Sequence, residues 1–147
     1  LQSAYLNCEF RVYELLVQEG VSLTMKNLPD IVSRYLMSLE AVKTAVQHLK
    51  NSDNWDPKCD DASKALQLAH FNQNYDVYDL LVQEGVSLKM KNLPSIVYSY
   101  QVSLETVKKA VKHLKATDNW DPKCDDASEA LQSAYLKQTY DVSDLLV

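Results

Sequence analysis

LQLAHFNQNYDVYDLLVQEGVSLKMKNLPSIVYSYQVSLETVKKAVKHLKATDNWDPKCDDASEA, residues 66–130, decides the fold, because residues 1–65 repeat nearly all of it. Aligned without a gap, 45 of the 65 positions are identical, and DNWDPKCDDAS recurs unchanged at residues 53–63 and 118–128. A third copy opens at Leu131 with LQSAYLKQTYDVSDLLV, and the last residue falls inside it. A fixed period of this kind marks a repeat architecture, in which each unit stacks on the next because none buries its apolar face alone. The chain is therefore read as a single repeat array over residues 1–147, with units at 1–65 and 66–130 and a partial third at 131–147. Identity this high comes from recent duplication or from deliberate design. Both ends fall within a helical pattern, which predicts a window on a longer array, able to self-associate through its cut repeat ends.

Working outward from residue 66, the pattern is helical throughout. Asp60 and Asp61 are placed to cap a helix carrying Ala62, Ala65, Leu68 and Ala69, since a carboxylate accepts the orphan N–H groups of a first turn. Asn74 caps a second helix through Val77, Leu80, Leu81 and Glu84, and Gly85 takes the position after its end, where positive φ is needed. Pro94 opens a third helix over Ile96, Val97, Tyr98 and Tyr100, at a place where its missing N–H costs nothing. Ser103 caps a fourth, whose Leu104, Val107, Val111 and Leu114 form an apolar stripe opposite Lys108, Lys112 and Lys115. DNWDP at residues 118–122 is expected to end it, because the residue before a proline avoids helical geometry. The expected fold is all-α, a solenoid with two helical hairpins in each 65-residue unit.

Composition narrows the function. Apolar residues at 46% and charged residues at 24% give the usual globular mixture and argue against disorder. Gly20 and Gly85 are the whole glycine complement, too few for hairpin-rich β folds or phosphate-cradling loops. A net charge of −5 argues against nucleic acid as a partner, since duplex binding requires clustered Lys and Arg against phosphates. No apolar run reaches the ~18 to 20 residues of a membrane span, so no membrane insertion is expected. The three cysteines, Cys8, Cys59 and Cys124, show no C-x-x-C spacing, and no N-x-[ST] acceptor or leader pattern occurs. These features predict free thiols and an intracellular, cytoplasmic setting.

Residues 65–88, ALQLAHFNQNYDVYDLLVQEGVSL, resemble the ankyrin repeat. Leu66, Leu68 and Ala69 match the family's Leu-His-Leu-Ala-Ala opening, and Asp76, Val77, Leu80, Leu81 and Gly85 match its second helix and stop. Leu1, Ala4, Val12, Leu15, Leu16 and Gly20 repeat the match. The family's Thr-Pro is replaced by Lys64-Ala65 and Glu129-Ala130, and the other hairpin, SIVYSYQVSLETVKKAVKHLK, shares only its length. The resemblance implies an ankyrin-like solenoid whose first helices and fingers form a concave binding face. It places Leu6, Leu36, Met37, Phe71, Gln101 and Val102 on that face. These fall among the positions where the copies differ, and neighbouring Arg11 and Asn72 complete the candidate partner-binding set.

No catalytic constellation emerges. WDPKCDD, at residues 55–61 and 120–126, places a cysteine among three carboxylates. It lacks the alternating ligands and glycine turn of a calcium loop and the close Cys/His spacing of a zinc site. Neighbouring carboxylates disfavour the thiolate, so the stretch is read as a capping loop with Trp packed between hairpins. His48 and His113, at the end of the fourth helix, are read as structural, in a position that favours a cation. Of nine tyrosines, most are expected between hairpins with a few exposed as interface anchors. No cofactor or metal is expected. The favoured reading is a non-enzymatic protein–protein interaction scaffold that binds a protein partner. Two other readings stand beside it: a structural spacer or designed repeat protein without a specific ligand, and an enzyme built on WDPKCDD.

Overall fold

The computed structural model describes residues 1–6, 10–34, 38–99, 102–137 and 140–147, with the side chains of Phe10 and Tyr140 outside that description. Among the described residues every regular element is helical. In order they are α1 (Gln2–Leu6), α2 (Phe10–Gln18), α3 (Leu28–Ser33), α4 (Leu39–Asn51), α5 (Asp60–Phe71), α6 (Tyr75–Gln83), α7 (Leu93–Tyr98), α8 (Leu104–Ala116), α9 (Asp125–Leu136) and α10 (Tyr140–Leu146). Single 3-10 turns at Met25–Asn27 and Met90–Asn92 lead into α3 and α7. The third helix of the repeat ends at Tyr98, and Tyr100 lies outside the described residues.

Side-chain caps open α4, α5, α6 and α8. Asn74 Oδ1 accepts from the Val77 N–H at 3.4 Å, and Ser103 Oγ accepts from Thr106 N–H at 3.2 Å. The start of α5 differs from expectation: Cys59 occupies the cap position and its Sγ accepts from Ala62 N–H at 3.4 Å. Asp60 and Asp61 fall one position later, inside the first turn, where a carboxylate stabilises the helix through its dipole.

Helix ends follow one design. After α6, Gly85 has φ +90°, Val86 N–H donates to Leu81 C=O at 2.9 Å and Gly85 N–H donates to Val82 C=O at 3.0 Å. That pair of bonds closes the last turn with a left-handed residue. The same pair ends α4 around Asp53 (φ 57°), α5 around Gln73 (φ 55°) and α8 around Asp118 (φ 57°). So the fourth helix is stopped by the left-handed Asp118, and Pro122 lies beyond the stop.

Two compact units make up the chain, Leu1–Val86 and Ser87–Val147. Their boundary falls within the second sequence repeat, between its two hairpins. In the first unit α3 packs along α5 and α4 packs on α6; in the second α7 packs along α9 and α8 on α10. First helices thus stack on first helices and second on second. The first core is centred on Leu23, Leu28, Ile31, Val42, Leu49, Leu66 and Leu81, all essentially inaccessible to solvent. The second holds Leu88, Leu93, Ile96, Val107 and Leu114 in the same state. Helices of 5 to 13 residues are marginal alone, and burial of about 1.5–3 kcal/mol per large aliphatic side chain is what holds them.

Candidate functional site

The connector after α2 shows how one repeat position is locked. Leu23 is fully buried, and both its backbone groups are captured by the last turn of α4 and the segment just after it. Its N–H donates to His48 Nε2 at 3.1 Å, and Asn54 Nδ2 donates to its C=O at 2.8 Å. In the second unit Leu88 N–H donates to His113 Nε2 at 3.1 Å and Asn119 Nδ2 donates to Leu88 C=O at 2.9 Å. An Nε2 that accepts leaves the ring proton on Nδ1, which in His48 faces the Tyr13 hydroxyl at 2.9 Å. Burial holds both imidazole pKa values below their ordinary value. The histidines are therefore neutral acceptors, and the expected cation at the helix end is not their role. The partner asparagines, Asn54 and Asn119, were not legible as functional; the signal that finds them is the His-x5-Asn spacing kept in both copies.

The WDPKCDD loop is built from turns. Asp56 Oδ1 accepts from Lys58 N–H at 3.1 Å and Asp121 Oδ1 from Lys123 N–H at 3.0 Å. Cys59 and Cys124 are free thiols, each half-buried. Among the described residues no group of three or more His, Cys, Asp or Glu side chains could hold a metal ion. Lys115 lies over the Trp120 ring at 5.5 Å, and two exposed lysines pair within their own helices, Lys43 with Glu40 and Lys108 with Glu105. Tyr78 is buried against His70, and burial together with the Asp79 carboxylate pushes its hydroxyl up to about 12, out of range for proton transfer near neutrality.

The candidate partner-binding residues fall at helix ends. Leu6 is the last residue of α1 and Phe71 the last of α5, each half-exposed, while exposed Asn72 follows as the α5 cap. Arg11 is exposed on α2. Val102 is half-exposed in the α7–α8 connection, its N–H donating to Ser99 C=O at 3.2 Å. Leu36, Met37 and Gln101 lie outside the described residues. A shallow cavity of about 260 Å³ beside Trp120 and Cys124 and another of about 250 Å³ between α4 and α6 contain none of the candidates.

Three further exposed residues, Leu136, Tyr135 and Tyr98, join the set in the second unit. Leu136, the last residue of α9, is the third-copy equivalent of Leu6 and Phe71, and it is exposed with its neighbour Tyr135. Tyr98, the last residue of α7, is exposed as well, and Lys137, just past α9, places its ammonium 4.5 Å from the Tyr98 ring centre and donates to the Tyr98 C=O. One position, residue 6 of the repeat, is therefore a large apolar side chain in all three copies and is solvent-accessible in each.

No helix among the described residues is long and apolar enough to cross a membrane. No protein-family model, no curated protein and no solved structure matches the chain.

Proposed function

We propose that the chain is a non-enzymatic protein–protein interaction scaffold, an ankyrin-like array that holds a protein partner along the ends of its first helices. The observation that carries this reading is the solvent-accessible apolar side chain at one repeat position, Leu6, Phe71 and Leu136, with Tyr98 and Tyr135 exposed in the second unit as well. Large aromatic and aliphatic side chains held by rigid helices lose little freedom on association, which is why they dominate binding energy at protein interfaces. Leu6, Arg11, Leu36, Met37, Phe71, Asn72, Gln101 and Val102 form the proposed contact set. The packing of first helices on first helices within each unit, and the histidine acceptors that fix the connectors, support a rigid frame able to present such side chains.

The test is site-specific photo-crosslinking from Arg11 and Asn72, both exposed, in the intact chain. A discrete adduct that disappears when Phe71, Gln101 and Val102 are all changed to Ala supports the scaffold. Adducts indifferent to those changes argue for the spacer reading, which near-identity of the copies favours. In that reading the same substitutions leave function intact.

A further inference from the structure

The two copies of one helix are in different states. Val12, Leu15, Leu16 and Glu19 of the first copy correspond to Val77, Leu80, Leu81 and Glu84 of the second. These residues sit at steps of three and four, so they form one stripe on α2 and one on α6. On α6 the stripe is covered by α4. Leu80 and Glu84 face Val46, Lys43, Gln47 and Lys50 across the cavity between the two helices, and the Lys50 ammonium donates to the Glu84 carboxylate. Val77 is 1% exposed and Val86, just past the helix, 2%. On α2 the same stripe is open: Val12 is 44% exposed, Leu15 55% and Val21, the counterpart of Val86, 39%. Glu14 and Glu19 beside it are exposed as well.

We propose that the open stripe on α2 is a docking face for a basic amphipathic helix with the sequence character of α4 and α8. The chain itself shows the occupant such a stripe takes. It is a helix with an aliphatic residue between two lysines, Val46 between Lys43 and Lys50 in α4, and Val111 between Lys108 and Lys115 in α8. The lysine stems cover Leu15 and Val12, and an ammonium reaches Glu19 as Lys50 reaches Glu84. Charge agrees, since the face carries Glu14 and Glu19 on a chain of net charge −5. The face lies on α2, whereas Phe71 and Asn72 end α5, so it is tested apart from the scaffold reading.

The experiment is a fluorescence anisotropy titration of the full chain into a labelled peptide of residues 103–117, SLETVKKAVKHLKAT. Saturable binding that weakens as salt is raised is expected. Leu15→Asp should weaken it at least tenfold, and Glu19→Lys several-fold with a flattened salt dependence. Both residues are exposed, so circular dichroism of each variant should match the parent. Absence of saturation overturns the proposal. So does equal binding by either variant, or by a scrambled peptide of the same composition. The Phe71, Gln101 and Val102 triple alanine variant should bind the peptide unchanged, which separates this face from the proposed scaffold surface.

Discussion

Glycine is scarce in this chain, yet among the described residues five helix ends carry a left-handed residue, and what fills them differs in strain. Gly20 and Gly85 take the position freely, whereas Asp53, Asp118 and Gln73 adopt it at φ 57°, 57° and 55°. A β-carbon in this region costs about 1–2 kcal/mol, least for Asp and Asn, whose short side chains bond locally. Gln73→Gly should therefore raise the urea midpoint more than Asp118→Gly does, each by an amount on the order of 1 kcal/mol or less. Gly85→Ala should lower it by about 1 kcal/mol. An added β-carbon there meets Pro57 only at ordinary contact distance, 3.7 Å, so the loss is conformational rather than steric. Equal effects of all three substitutions on equilibrium unfolding would remove this account. The histidines give a second residue-scale prediction. His48 and His113 are held neutral by burial, so below their ordinary pKa of about 6.5 the unfolded chain binds protons that the folded chain resists. Stability should be flat from about pH 8 to 7 and fall from 7 toward 5.5, by at most about 1.4 kcal/mol per pH unit for each ring. Replacing both by Gln should lower the plateau and remove most of that fall.

At the level of elements, the sequence revealed types and order well. Apolar spacing and the cap residues Asn74 and Ser103 located α6 and α8 to within a residue, because both signals are local. What was not legible was tertiary. Cys59 caps α5 although a thiol is a weak acceptor, because the two aspartates already serve the first turn from one position later. Nothing local announces that Asn54 and Asn119 reach back 31 residues to a buried carbonyl. Within the proposed contact set Leu6 and Phe71 stand out because the copies differ there, whereas Leu136 repeats Leu6 and its exposure shows only in the structure. The connector clamp is the element-scale consequence that can be measured. Asn54→Ala leaves the Leu23 carbonyl buried without its side-chain donor and should cost about 1–3 kcal/mol. Asn119→Ala should act alike on the second unit. An amide exchange experiment should show protection lost in α3 and α4 for the first variant and in α7 and α8 for the second. Uniform loss across the chain in either variant would contradict a local clamp.

For the molecule as a whole, the sequence repeat and the packing repeat are out of phase. The sequence unit begins at Leu1 and again at Leu66, but the most extensive helix pairings join α3 to α5 and α7 to α9, each across a unit junction. The two compact units likewise meet at residues 86 and 87, between the hairpins of the second copy. Where repeated helical hairpins contact one another, stability is approximately the sum of intrinsic terms for each hairpin and interface terms between neighbours. Which 65-residue window is excised should then matter more than how many residues it holds. Residues 22–86 keep the α3–α5 and α4–α6 stacking together with the Leu23 clamp, and they end at the Val86 stop after α6. Residues 1–65 have the same length and one full copy of the sequence, but they cut α5 at Ala65 and lose α6. Leu66 and Ala69, fully buried in the chain, are absent from that window, and the covering of Val46 by α6 goes with them. The window 22–86 should unfold cooperatively in urea, while 1–65 should show lower helicity and a broad, early transition. If 1–65 proved the more stable, the sequence repeat would be the folding unit after all, and the interfaces across the junction would count for less than the hairpins they join.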